Sequence, residues 1–409
     1  MSNDNITEAA TVNPMPTRST AIGLVLFLMA IAVGGFILLR PQPPLLPASL
    51  SSSDYSAAQR RYVELFGILP EHLDSLAIAG EIAVSEKNWE QAAACFREVP
   101  TNHPRFGASA RLQEAQVLVR LNRAADAERA FQTFFALPEH RRFNAVTLAG
   151  AGKWLNFVLS AQLRFEDRKR WLVYVHELGI ADVLDSKQLH FPNLLIWNSP
   201  LGRKRCNEFL AADPGNIDLQ VASARYLTAE GKLEAARESL MKLSERHPRD
   251  QRILAATLEC DFERNDWLHM EDVERSLPQF DKAESWLLTR MRGELAMHHK
   301  DWSRALEYFQ QVLLEDPANS WSQMGIVRAL GELGRADEQK SARAKSAALA
   351  KIRVSVVKVT DRDPGAANAL ADLCNAAGLI RAAQDFRQHA RHMENSPVNS
   401  TQRDSPELP

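Results

Sequence analysis

Apolar residues recur at intervals of three and four along most of this chain, and short polar breaks divide them into segments. Residues 281–319 show the pattern most clearly, with two apolar-faced segments on either side of the polar break 299–301. In the second segment Trp302 and Phe309 are seven residues apart, so they share one helical face. Pro317 cannot continue that helix. This stretch is therefore predicted to form two packed helices joined by a short turn.

The same unit recurs at a nearly constant spacing. Units begin near Leu73, Ala108, Val183, Ile217, Gln251, Trp286 and Ser320. The steps from 183 to 217, from 217 to 251 and from 286 to 320 are 34 residues, and those from 73 to 108 and from 251 to 286 are 35. Small and aromatic residues recur at fixed places, as Gly293, Ala305 and Phe309 in one unit and Gly80, Ala92 and Phe96 in another. The small residues Gly293 and Ala305 are expected where the two helices approach closely.

This period and its glycine, aromatic and proline positions resemble the tetratricopeptide (TPR) repeat family over residues 57–393. The resemblance implies an all-α fold, a right-handed superhelical solenoid of helix-turn-helix repeats. Capping patterns support the helix assignments, as at Asp281 with Glu284 and at Asp363-Pro364. Proteins of the family that clamp a chaperone's terminal carboxylates use Lys and Asn along successive first helices, and that pattern is absent here.

The repeat is irregular at about 142–200 and again at 336–363. The step from 108 to 183 covers 75 residues, which predicts a degenerate unit starting near Ala151. Pro192 falls within a predicted first helix and should shorten it.

A long helix is predicted from about Ala336 to Val357. It carries or precedes the basic residues Arg343, Lys345, Lys351, Arg353 and Lys358. These residues form either a solvated face or a contact strip for an acidic partner or lipid headgroups.

The N-terminal region has a different composition. Residues Ala21 to Leu39 form 19 consecutive residues without a charged or strongly polar side chain, enough to span a bilayer as one transmembrane helix. A cleavable signal peptide is the alternative, since small residues follow at Ala48 and Ser49, although the apolar run exceeds the usual signal core. The remaining segments are predicted as a disordered tail (1–20), a Pro/Ser-rich linker (40–56) and a disordered C-terminal tail (394–409).

Orientation in the membrane is not decided by charge, because Arg18 and Arg40 lie at opposite ends of the apolar run. Arg60 and Arg61 favour keeping the repeats inside. A short tail before a single apolar run is typical of an anchor that exports the following domain. We therefore expect the repeats on the periplasmic side of a bacterial inner membrane.

Composition and sequence motifs give no sign of nucleic-acid binding or of a catalytic, cofactor or metal site. The chain has 49 basic and 51 acidic residues, a net charge of −2 that offers no general attraction for nucleic acid. Four separated cysteines, without a Cys-x-x-Cys pair, are expected to be buried hydrophobes. No catalytic, phosphate-binding or metal motif stands out, so we expect no catalytic residue, no cofactor, no metal and no small-molecule substrate.

Function is accordingly expected on a surface, the inner face lined by the first helix of each unit. The candidate partner-binding residues are Glu81, Leu112, Gln116, Arg225, Glu259, Phe262, Arg290, Glu294, Met297, Trp321 and Arg328. This mixture of charged and apolar groups suits an extended peptide or a partner helix. The sequence thus predicts a membrane-anchored protein-interaction scaffold that supports assembly of a membrane or envelope complex. A chaperone-like factor for secreted or unfolded chains and an enzyme with an unrecognised site are the alternatives.

Overall fold

A computed structural model describes residues 72–193, 200–278 and 284–395. The helices within them are α1 (His72–Ser85), α2 (Trp89–Glu98), α3 (Gly107–Arg120), α4 (Ala124–Ala136), α5 (Ala145–Ala161), α6 (Phe165–Glu177), α7 (Val183–His190), α8 (Pro200–Ala212), α9 (Ile217–Ala229), α10 (Leu233–Arg246), α11 (Gln251–Arg264), α12 (Trp267–Ser276), α13 (Trp286–His298), α14 (Trp302–Glu315), α15 (Ser320–Glu332), α16 (Ala336–Ser355), α17 (Pro364–Ala376) and α18 (Ile380–Asn395). A 3₁₀ helix, Pro138–Arg142, follows α4. These residues contain no strand.

The predicted tails, the linker and the apolar run Ala21 to Leu39 all lie outside the described residues. Within those residues, every helix is too short or too polar to cross a bilayer. The transmembrane helix therefore stays a prediction from the sequence.

The chain divides into two compact units, Met1–Ala110 and Arg111–Pro409. In the first, α1 and α2 form a hairpin that packs Phe96 directly on Gly80. A Cβ atom at position 80 would lie 2.6 Å from the Phe96 ring. Helix α2 therefore approaches α1 closely at Gly80.

In Arg111–Pro409 the helix pairs repeat with the predicted period. Helices begin at Val183, Ile217, Gln251, Trp286 and Ser320, the same residues that the sequence pattern predicted as unit starts. The cause is local, because a short polar side chain caps each of the last four. The caps are Asn216, Asp250, Ser285 and Asn319, and each side chain accepts a hydrogen bond from a backbone N–H of the first turn. Asp281 of the expected capping box lies outside the described residues, and within them Ser285 caps α13.

Phe309 holds the pairs α13–α14 and α15–α16 together. Its ring is fully buried and lies between Gly293 on α13 and Gly325 on α15. A Cβ at Gly293 would be 2.7 Å from the ring, and one at Gly325 would overlap it. Since Gly has no Cβ, two first helices can close onto one phenyl ring.

The irregular region departs from the prediction at its start. The degenerate unit begins at Ala145, not near Ala151, because the Asn144 side chain accepts a hydrogen bond from the Thr147 N–H and caps the helix there. The 3₁₀ helix before it takes up the extra residues. Helix α7 ends at His190, two residues before Pro192, so the predicted shortening is confirmed. The long helix α16 and the cap at Asp363 are also confirmed.

Helix α7 packs against the last helix pair, a contact that the sequence analysis did not predict. The rings of Phe191 and Phe386 stack with centroids 6.1 Å apart. Nε2 of His190 lies 2.6 Å from Oδ2 of Asp385, within hydrogen-bond distance. The hydroxyl of Ser186 lies 2.7 Å from Nε2 of His389. This contact covers the apolar surface of α17 and α18, so a helix from the middle of the chain serves as their cap.

Candidate functional site

The candidate site is a row of side chains on α9, α11, α13 and α15, the first helices of four successive units. Arg225, Glu259, Glu294 and Arg328 occupy one repeat position, at steps of 34, 35 and 34 residues. We call the set Arg225, Glu259, Phe262, Arg290, Glu294, Trp321 and Arg328 the first-helix row. Contacts between neighbouring helices join its members.

The row begins with a buried ion pair. Nε of Arg225 donates to Oε2 of Glu259 at 2.7 Å, and a terminal nitrogen of the same guanidinium donates to Oε1 at 3.3 Å. Such a two-bond arrangement fixes both side chains and is roughly twice as strong as a neutral hydrogen bond. It ties α9 to α11 at the base of the row.

Arg290 lies at the centre of the row and is only 4% exposed. Its guanidinium carbon is 4.8 Å from the Trp321 ring centroid and 5.8 Å from that of Phe262. Both distances allow attraction to the aromatic rings. Nε of Arg290 lies 3.8 Å from Glu294, too far for a hydrogen bond. Among the described residues, this buried Nε has no hydrogen-bond partner.

Burial and neighbouring charges shift the pKa values of Arg290 and of the acidic residues around it in opposite directions. Burial lowers the pKa of the Arg290 guanidinium, while the neighbouring carboxylates Glu294, Glu259 and Glu263 act in the opposite direction. Burial raises the pKa of Glu294, and the charges of Arg290 and Arg328 partly offset this. Burial likewise raises the pKa of Glu263, against the attraction of Arg290. The site therefore holds a buried guanidinium, whose Nε has no hydrogen-bond partner among the described residues, beside three carboxylates.

The far end of the row is more accessible. Arg328 is exposed, and its guanidinium carbon lies 5.7 Å from the ring centroid of Trp302 on α14. Trp321 is half-buried. A ligand could thus reach Trp321 and Arg328 from this side.

The other predicted site residues lie elsewhere. Glu81 is exposed on α1, in the unit Met1–Ala110. On α3, Leu112 is buried and Gln116 is half-buried. Met297 is buried in the core formed by α13, α14 and α15, so it does not line the row. The repeat register placed Met297 on the correct helix, α13. Its side chain packs in the core and is not part of the row.

Two acidic residues near the row were missed. Glu263 is exposed, one helical turn after Glu259, and this i, i+4 spacing could have identified it. Glu166 is on α6, where Arg225 lowers its pKa against a larger rise caused by burial. No sequence spacing could have placed Glu166 near Arg225, because α6 belongs to the irregular unit.

An open groove of about 580 Å³ lies along α6. It is lined by Phe135, His140, Glu166, Lys169, Arg170, Trp171, Val173, Tyr174 and Glu177. Its aromatic residues contact one another, as the 4.4 Å between the Phe135 and Trp171 ring centroids shows. Within the described residues no group of three or more His, Cys, Asp or Glu side chains is arranged to hold a metal ion. Burial raises the pKa of Cys206 and of Cys374 to about 12, so both thiols stay protonated.

No protein-family model matches the sequence, and no curated protein is significantly similar to it. Among solved structures, a tetratricopeptide repeat protein from Parabacteroides merdae is 10% identical with a TM-score of 0.31, covering 63% of this chain and 98% of its own. Human IFIT1, as a dimer with m7Gppp-AAAA, is 10% identical with a TM-score of 0.36, covering 85% and 96%. The APC/C hetero-tetramer Cut9–Hcn1 gives 14% identity and a TM-score of 0.24, covering 83% and 87%.

At these TM-scores the similarities carry no inference about function. The repeat architecture rests instead on the helix pairs, their period and their glycine–phenylalanine packing. In those features the chain is similar to tetratricopeptide repeat proteins.

Proposed function

We propose that this chain is a non-catalytic scaffold whose first-helix row binds an extended segment of a partner protein. The observation that carries the proposal is the accessible end of the row, where exposed Arg328 and half-buried Trp321 lie beside the buried guanidinium of Arg290. The Arg328 guanidinium can donate hydrogen bonds to the oxygen atoms of a bound segment. Planar guanidinium groups favour such recognition.

The surroundings of Arg290 suit a polypeptide. A peptide backbone offers carbonyl oxygens to Arg328 and N–H groups to the carboxylate of Glu294. Phe262 and Trp321 offer apolar faces for side chains of the same segment. Peptide recognition commonly combines main-chain hydrogen bonds with such side-chain contacts.

The cellular role that we propose follows from the N-terminal segment. A transmembrane helix at Ala21 to Leu39 would tether the repeats to a bacterial inner membrane, on its periplasmic side, where they support assembly of a membrane or envelope complex. The uncharged 19-residue run supports this anchor. Protease treatment of spheroplasts tests the orientation, because periplasmic repeats are digested without lysis whereas cytoplasmic repeats are protected.

A site-specific crosslinking experiment tests the binding surface. A photoreactive amino acid replaces Glu263 beside the row, or Leu314 as a control, which is 80% exposed on α14. Irradiation of cells should give one discrete product from position 263 and not from position 314. The additional change Arg328→Glu should remove that product.

Other outcomes separate the alternatives. A product from position 314 alone would place the interface outside the first-helix row and refute the proposal. A broad smear of many partners from position 263 would favour the chaperone-like role. Arg328 is exposed, so its substitution tests binding without the risk of unfolding that a change at buried Arg290 carries.

A further inference from the structure

Helix α16 differs in charge from the other second helices. Residues 339–360 contain the basic residues Lys340, Arg343, Lys345, Lys351, Arg353 and Lys358 and no aspartate or glutamate. Helices α10 and α14, which hold the equivalent place in other units, mix acidic and basic residues. At 20 residues α16 is also longer than these 14-residue helices, by about 9 Å at 1.5 Å per residue.

The two faces of α16 are distinct. Ala342, Leu349 and Ile352 are buried, the first against α13–α15 and the others against α17 and α18. On the other side, Val354 is 63% exposed, and Val357 in the turn after the helix is 58% exposed. Exposed apolar and basic residues thus share one face along the helix and the turn that follows it. We define the α16 basic face as Lys340, Arg343, Ala347, Ala350, Lys351, Val354, Val357 and Lys358, all exposed.

The cations of this face are not neutralised within the described part of the chain. Lys340, Arg343, Lys351 and Lys358 form no ion pair there, whereas Arg335, just before the helix, pairs with Glu338. Elsewhere, exposed lysines such as Lys242 pair with a glutamate on the same helix. The α16 basic face therefore presents uncompensated positive charge around exposed valines.

We propose that the α16 basic face lies on an anionic lipid surface. Interfacial helices combine Lys and Arg with apolar side chains that enter the headgroup region, and their binding strengthens with anionic lipid. Lysine can extend its charged end to the headgroups while its methylene chain covers apolar surface. The exposed valines favour lipid over an acidic protein, for which charge alone would suffice.

This inference is independent of the proposed first-helix row. It is compatible with the predicted membrane anchor at Ala21 to Leu39, since a chain anchored there would remain at the membrane. The anchor would bring the chain to the membrane, and the α16 basic face would set which side of the repeats lies against it.

A local fluorescent probe tests the contact in the full chain. An environment-sensitive fluorophore is attached at Val357→Cys or, as a distant control, at Leu268→Cys, which is 77% exposed on α12. The native cysteines of the described residues are buried, so the introduced thiol reacts first. Each protein is mixed with vesicles of phosphatidylcholine alone or with about one third phosphatidylglycerol, with and without brominated lipid.

We expect a blue shift and bromine quenching at position 357 on the anionic vesicles only, suppressed by high salt. Position 268 should show neither. The variant Lys340→Glu/Arg343→Glu/Lys351→Glu/Lys358→Glu should lose the signal, because each basic residue contributes about fivefold to local partitioning. A matched variant, Lys232→Glu/Lys242→Glu/Arg246→Glu/Arg249→Glu, makes the same charge change on and beside α10 and should keep it.

Several results would overturn the proposal. These are no signal at position 357, an equal signal on neutral vesicles, or loss of the signal in the α10 variant as well. If soluble polyglutamate shifts the probe and anionic vesicles do not, the face serves an acidic protein and the lipid assignment is wrong.

Discussion

Packing of Phe309 between two glycines gives a prediction whose size follows from the structure. In Gly325→Ala the new methyl group overlaps a ring that is fully buried and cannot move aside. Overpacking of this kind costs up to about 3 kcal/mol. Alanine improves helix propensity by about 1 kcal/mol over glycine. We therefore expect a net loss of about 2 kcal/mol in the free energy of unfolding.

A matched control separates the two effects. Gly150 is also within a helix, and nothing lies within 4 Å of a Cβ added there. Gly150→Ala should therefore stabilise the protein by about 1 kcal/mol through propensity alone. The same substitution at two helical glycines is thus expected to act with opposite sign.

The double mutant completes the test. Phe309→Ala alone should cost about 3–5 kcal/mol, but in that background Gly325→Ala has no ring to meet and should become stabilising. The expected coupling between the two sites is about 3 kcal/mol. Urea denaturation followed by circular dichroism gives the midpoint and slope for each variant. If Gly325→Ala behaves like Gly150→Ala in the wild-type background, the packing described here is wrong.

Three further predictions concern stability. Glu259→Gln leaves the Arg225 guanidinium buried without its counter-ion, so the free energy of unfolding should fall by about 3 kcal/mol. An unchanged midpoint of urea denaturation would contradict the ion pair. Burial raises the pKa of Asp316 from 3.8 to about 6, so the folded protein binds this proton more tightly and stability should fall by about 3 kcal/mol as pH rises from about 4 to 6. Asp316→Asn should remove that slope in thermal unfolding measured across the range, and an unaltered slope would count against it. Lys300 has a φ of 62°, in the left-handed region, so Lys300→Gly should stabilise the protein by about 1 kcal/mol and raise the midpoint, whereas a lowered midpoint would argue against backbone strain there.

Local signals explain which parts of the fold the sequence predicted. The starts of α9, α11, α13 and α15 were predicted because period and polar caps coincide at the same residues. The start of α5 was missed by six residues, because the 3₁₀ helix before it has no counterpart in the regular units. The packing of α7 on α18 could not be predicted, since Ser186 and His389 are 203 residues apart and belong to no shared pattern.

Residues of the candidate site were likewise predicted where they follow the repeat period and missed where they do not. Arg225, Glu259 and Glu294 share a repeat position, so the period placed them on one surface. Glu166 approaches that surface through the irregular unit, whose path depends on long-range packing that no local pattern shows. Met297 lies seven residues after Arg290 on the same face of α13, but at this end of the helix the core shared with α14 and α15 buries it.

Affinity for the partner tests the central claim most directly. Once the partner is recovered by crosslinking from position 263, its dissociation constant is measured with the wild-type chain and with Arg328→Lys, which keeps the charge but loses the planar guanidinium at an exposed position. We predict binding weaker by about tenfold or more, equivalent to about 1.4 kcal/mol, with an unchanged unfolding midpoint. Equal affinity of the two proteins would contradict the account.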